Sequence, residues 1–104
     1  MSLKSSLMRY FEEGRLRSFD AHDDKKATLH LANGRDLMIY MPTQYIIGEA
    51  DIAEAMEDPS AEYLVYNVWD SVSERAKEAA RRAGIEIYTF GGFGNFLDRI
   101  NEYQ

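Results

Sequence analysis

A single α/β domain, a mixed sheet sandwiched between helices, is the fold class that this sequence predicts, and three observations predict it. Residues 62–68 and 85–90 read as short strands rich in Tyr, Val and Ile, with a helical stretch between them. Strands joined by such a crossover lie parallel in one sheet, because an antiparallel pair needs only a tight turn. Asn33 and Gly34 separate two apolar runs, 27–32 and 35–41, and Asn-Gly supplies the two positive-φ residues of a type I′ hairpin turn. The second run is apolar on both faces from Leu37 to Met41, which requires cover on both sides of the sheet.

Taken in order, Leu3, Leu7, Tyr10 and Phe11 recur at helical spacing, and Gly14 is a stop. Residues 15–22 alternate weakly and read as an edge strand; 23–26 form a charged turn. A two-residue turn at Asn33 and Gly34 sets His30 opposite Leu37 and Leu29 opposite Met38. Pro42 ends that hairpin, and 47–57 reads as a helix with Ile52, Ala53 and Met56 inward. Ser71 and Glu74 have the spacing of a capping box and open a helix whose small stripe, Val72, Ala76, Ala79, Ala80 and Ala83, suits close approach to a sheet. Gly84 stops that helix, the strand 85–90 follows, Gly91, Gly92, Phe93 and Gly94 read as a turn, and 95–103 forms a last short helix.

Composition narrows the function. One domain, 1–104, accommodates the chain, and 45% hydrophobic residues suffice for one core. With no cysteine, thiolate catalysis and cysteine-built zinc sites are excluded, leaving His22 and His30 as nitrogen ligands. No stretch approaches a membrane span and no long apolar leader opens the chain, so a soluble, cytoplasmic protein is expected, with Met1, Ser2 and Leu3 open to being partly an expression remnant. The net charge of −6 divides into +1 over residues 1–26 (six basic, five acidic) and −7 over the rest (six basic, thirteen acidic). Such a surface disfavours nucleic acid unless Arg9, Arg15, Arg17, Lys25 and Lys26 gather on one face. The acidic helix carrying Glu49, Asp51, Glu54, Glu57 and Asp58 reads as a solvated face, the alternative being a dock for a basic partner.

The order helix, three strands, helix, strand resembles the common core of the restriction-endonuclease-like, PD-(D/E)-x-K superfamily. The segment 64–97, with its Ala-rich helix around Ser73 to Ala80, the strand after Gly84 and a closing helix, is similar to the carboxy-terminal part of Mrr-type members. The resemblance implies an acid at or before the second strand and an acid-x-Lys on the third, holding Mg²⁺ and assisting the attacking water. The third strand, 37–41, has neither acid nor lysine; the nearest match is Asp36, Leu37, Met38, with methionine for lysine. The expectation is therefore a degenerate site without metal or other cofactor, on a noncatalytic binding or regulatory module whose partner is another protein or a second copy. The rival is a Mg²⁺-dependent nuclease using Asp23 or Asp24, Asp36 and Lys77, with Asp20 as a further stand-in for the first acid.

Ligands in parallel α/β sheets sit outside the carboxyl ends of the strands. Here that places Asn67, Trp69 and Asp70 after one strand and Gly91 and Gly92 after the other, with Thr43 and Gln44 joining if the hairpin strand runs the same way. A small-molecule sensor built on those residues is a third functional reading, against one in which Asp70 and Ser71 cap a helix and the glycines turn the chain. The Gly91 to Gly94 run matches neither G-x-G-x-x-G nor a phosphate loop with lysine. Two scattered histidines make no Ser-His-Asp arrangement, and His22 reads as a turn residue. Among the seven tyrosines, Tyr40 and Tyr66 are placed in the core by strand position.

Overall fold

The computed structural model describes residues 2–102. In chain order it contains helix α1 (Leu3–Glu12), strands β1 (Ser18–Ala21), β2 (Lys26–His30) and β3 (Asp36–Tyr40), a short strand β4 (Ile46–Ile47), helix α2 (Glu49–Met56), strand β5 (Tyr63–Tyr66), a short strand β6 (Ser71–Val72), helix α3 (Glu74–Ala83), strand β7 (Glu86–Thr89) and helix α4 (Phe90–Glu102). The main sheet has the order β1-β2-β3-β5-β7. Its hairpin half, β1 to β3, is antiparallel, and β3, β5 and β7 run parallel. Strands β4 and β6 pair separately as a parallel ribbon.

The pleat divides the side chains between two layers. Leu29, Leu37, Ile39, Tyr63 and Val65 face one way, beneath Leu3, Leu7 and Tyr10 of α1 and Phe93, Leu97 and Ile100 of α4. Tyr40 and Leu64 face the other way, against Ile52 and Ala55 of α2 and Ala76 and Ala80 of α3. Burying each large side chain stabilises the fold by about 1.5–3 kcal/mol, so both layers carry the domain. Tyr10 ties α1 to α4: its ring stacks on Phe90 at 4.4 Å and its hydroxyl donates to the Phe90 carbonyl at 2.5 Å. Burial pushes that phenol's pKa up, with Arg15 opposing.

The α/β class and mixed sheet agree with the sequence reading; four local expectations do not. The hairpin turn has three loop residues, Ala32, Asn33 and Gly34. Leu31 accepts from the Gly34 amide at 3.0 Å and donates to Arg35 at 2.8 Å. Only Gly34 takes positive φ (87°), because no described non-glycine residue does, and a type I′ turn is therefore excluded. The pairing shifts by one: Leu29 faces Leu37 and His30 faces Asp36. This register puts both leucines under α1 and α4, where the sequence register would have set one toward the polar face.

Ser71 lies in β6, and Ser73 caps α3 by accepting from the Ala76 amide at 3.1 Å. The pairing of β6 with β4 holds residues 71 and 72 extended. Gly91 to Gly94 are helical rather than a turn, and Thr89 caps the helix by accepting from the Gly92 amide at 3.0 Å. A Cβ at Gly94 would lie 2.0 Å from an Arg15 nitrogen, so the guanidinium, which bridges Glu13 and Asp98 at 3.2 Å each, would have to move aside. In α2 the inward residues are Ile52 and Ala55; Ala53 and Met56 are exposed and Ile47 belongs to β4. Its Gly48 cap has no side chain, and Asp51 accepts from the Gly48 amide at 2.9 Å.

Candidate functional site

A cavity of about 290 Å³ opens where β3 and β5 end. Met41, Pro42 and Thr43 leave β3 on one side, and Val65, Tyr66 and Asn67 close β5 on the other. Ser2, Leu3 and Lys4 at the start of α1 and Asp23 and Asp24 of the β1–β2 turn complete the wall. Ser2 accepts from the Ser5 amide at 3.2 Å as the cap of α1, and Leu3 is buried, so both residues belong to the fold. Asp23 shapes its turn by accepting from the Lys25 and Lys26 amides at 2.8 and 2.7 Å, which lowers its pKa, the Lys25 bond contributing most. The side chains of Asp24, Thr43 and Asn67 have no hydrogen-bond or ion-pair partner among the described residues.

The cavity sits at the predicted end of the sheet but uses a different set of residues. Asn67 and Thr43 line it; Trp69, Asp70, Gly91, Gly92 and Gln44 do not. After Asn67 the chain leaves the sheet to pair as β6, which carries Trp69 into solvent at 67% exposure, while Asp70 donates its amide to the Asn67 carbonyl at 3.0 Å. Gly91 and Gly92 occupy the first turn of α4 at the end of β7. Ser2, Leu3 and Lys4 were missed because nothing local in the sequence tells where an amino-terminal helix will land on a sheet.

No match to a protein-family model, a curated protein or a solved structure is found for this chain. The residues themselves must carry the functional reading. Asp23 and Asp24 do not converge with Asp36: they precede the Lys26 end of the hairpin, and Asp36 lies at the other end, where Asp20 reaches it only through His30. Four residue steps at about 3.4 Å put those ends about 14 Å apart. Lys77 is on α3, paired with Glu74 at 3.4 Å. Among the described residues no group of three or more His, Asp or Glu is arranged to hold a metal ion.

Asp36 has instead a role that the sequence register hid. His30 Nδ1 meets Asp36 at 2.7 Å and His30 Nε2 meets Asp20 at 2.7 Å, on the face of the hairpin that α2 and α3 leave open. A neutral imidazole has one N–H, so only the protonated ring donates to both carboxylates. The Asp20 bond, then the Asp36 bond, accordingly raise the His30 pKa. His22 is held beside it, with Nε2 at 2.6 Å from the Thr28 hydroxyl and its amide donating to the Lys26 carbonyl at 2.9 Å.

Four of the five basic candidates are already engaged within the fold. Arg9 pairs with Glu13 at 3.7 Å, Arg15 with Glu13 and Asp98, and Lys25 with Glu54 at 3.1 Å. Lys26 is buried, its ammonium donating at 2.6 Å to the Glu57 carbonyl at the carboxyl end of α2, where the helix dipole favours a cation. Among the described residues no helix is long and apolar enough to cross a membrane. One surface feature remains: the β4–β6 ribbon carries Ile46 and joins the loops that carry Tyr45, Val68 and Trp69, and Tyr45, Ile46, Val68 and Trp69 are 78, 71, 73 and 67% exposed. These are four of the seven exposed large hydrophobic residues among those described.

Proposed function

We propose that the chain is a noncatalytic protein-binding module, on a nuclease-like frame of the restriction-endonuclease type that lacks the catalytic set, and that it engages its partner through Tyr45, Ile46, Val68 and Trp69. The observation that carries this reading is the placing of those four exposed apolar residues on the β4–β6 ribbon and the two loops it joins. Single exposed apolar residues are ordinary; several large ones at one corner are a feature of contact surfaces, and Trp and Tyr commonly supply most of the binding energy there. The noncatalytic part is supported by the separation of Asp23 from Asp36 and by the pairing of Asp36 with His30. The strands of the ribbon are two residues each, so the corner presents side chains rather than a long edge for strand addition.

The test compares the wild type with a Val68→Ser, Trp69→Ser double variant. Both residues are exposed, so the variant is expected to unfold at the temperature of the wild type. Sedimentation velocity over a concentration series is run with affinity enrichment from matched extracts. Self-association, or a discrete set of retained proteins, present in the wild type and lost in the variant supports the reading. A wild type that stays monomeric and retains the same proteins as the variant overturns it.

A further inference from the structure

The cavity at the ends of β3 and β5 is separate from the apolar corner, and its lining has a chemistry of its own. Leu3, Met41 and Val65 are core residues that give it an apolar wall. The β1–β2 turn brings two carboxylates, Asp23 and Asp24, against one ammonium, Lys4, a net lining charge of −1. Asp23 has one oxygen committed to two backbone amides, whereas Asp24 has no partner among the described residues. Thr43 and Asn67 add two oxygens able to accept from a ligand, and neither side chain has a partner among the described residues. About 290 Å³ is at the small end of the range for ligand pockets, a size that suits a small guest.

We propose that this cavity binds a small amphipathic organic cation, an alkyl- or arylammonium compound, with the ammonium toward Asp24, Thr43 and Asn67 and the hydrocarbon against Leu3, Met41 and Val65. Three acceptors suit the three N–H donors of a primary ammonium, and the apolar wall accepts the chain that water rejects. The acidic surface, with sequence pI about 4.8, raises the local concentration of such a cation and disfavours an anion of the same shape.

Three probes of one shape separate the contributions: 3-methylbutylamine, the neutral 3-methylbutan-1-ol and the anionic 3-methylbutanoate. Each is titrated into the full chain, followed by thermal unfolding and by amide chemical shifts. The amine is expected to raise the unfolding midpoint saturably and to shift the amides of Asp24, Thr43 and Asn67; the alcohol is expected to act at least tenfold more weakly and the carboxylate not at all. Asp24→Asn should weaken the amine at least tenfold, and Asn67→Ala should weaken it in a second, independent background. Trp69→Ser should leave amine binding unchanged, so failure of the protein-binding reading and failure of this one are distinguishable. Equal response to amine and alcohol, preference for the carboxylate through Lys4, a response untouched by Asp24→Asn, or no response to the amine each overturns the proposal.

Discussion

Replacing Gly91 by alanine should stabilise the protein. The residue lies in the first turn of α4, its φ is not positive, and a Cβ there meets nothing within 4 Å. The folded state therefore incurs no clash, while the unfolded chain loses some of the freedom that makes glycine costly in a helix. The gain is about 0.5–1 kcal/mol. For a domain of about this size 1 kcal/mol moves the thermal midpoint by about 4–8 °C, so Gly91→Ala should raise it by about 2–8 °C. Gly84→Ala is the control of opposite sign: Gly84 has φ 75° as the left-handed cap of α3, and an L-residue there costs about 1–2 kcal/mol. Both variants are read by calorimetry and by urea unfolding, with an unchanged denaturant slope as the check that the unfolded state is the same. If Gly91→Ala lowers the midpoint as Gly84→Ala does, residues 91–94 form a turn and the helical start of α4 is wrong.

Three further outcomes follow. Ser73→Ala should cost about 1 kcal/mol in urea unfolding and Ser71→Ala close to nothing, because only Ser73 caps α3; the reverse order would restore the capping box at Ser71. The hydrogen bonds of Asp20 and then Asp36 favour the protonated His30 ring, so its folded pKa lies above the unfolded value of about 6.5. Its contribution is full below that value and is lost as pH rises through the folded pKa. The stability difference between wild type and His30→Gln should shrink from pH 6 to pH 9, and Asp20→Asn with Asp36→Asn should flatten it; a difference growing with pH would contradict the arrangement. Phe93→Ala, at a fully buried ring 5.6 Å from both Tyr63 and Phe96, should cost about 3–5 kcal/mol in urea unfolding, and a loss below 1 kcal/mol would mean the aromatic layer is loosely packed.

The parallel crossover was legible because its signals are local and mutually consistent: β-rich runs at 62–68 and 85–90, an amphipathic helix and a glycine stop. The double-sided strand at Leu37 to Met41 was legible for the same reason. The turn was misread because Asn-Gly serves two hairpin lengths equally well, and the choice between them depends on which residues the distant helices α1 and α4 cover. The glycine run misled because glycines signal a turn locally, whereas here they begin a helix whose Phe93, Leu97 and Ile100 pack on a core assembled from distant residues. Of the cavity, the strand ends and Asn67 were readable from topology. Trp69 and Asp70 lie outside its lining, drawn away by a two-residue ribbon that has no sequence pattern of its own. The Asp20, His30, Asp36 cluster was hidden by a one-residue register shift.

The layer beneath α1 and α4 draws its side chains from residues 3–16 and from residues 90–100, which meet only in space. During synthesis the hairpin β1–β3 can pair early from local contacts and α1 is already available, yet the layer of Leu29, Leu37 and Ile39 stays only partly covered until α4 has emerged. A chain halted before residue 90 therefore displays a half-finished apolar slab to solvent. The stacking of Tyr10 on Phe90 is then a latch that closes only once α4 is present, so the layer that begins with Leu3 is finished by the helix that begins at Phe90.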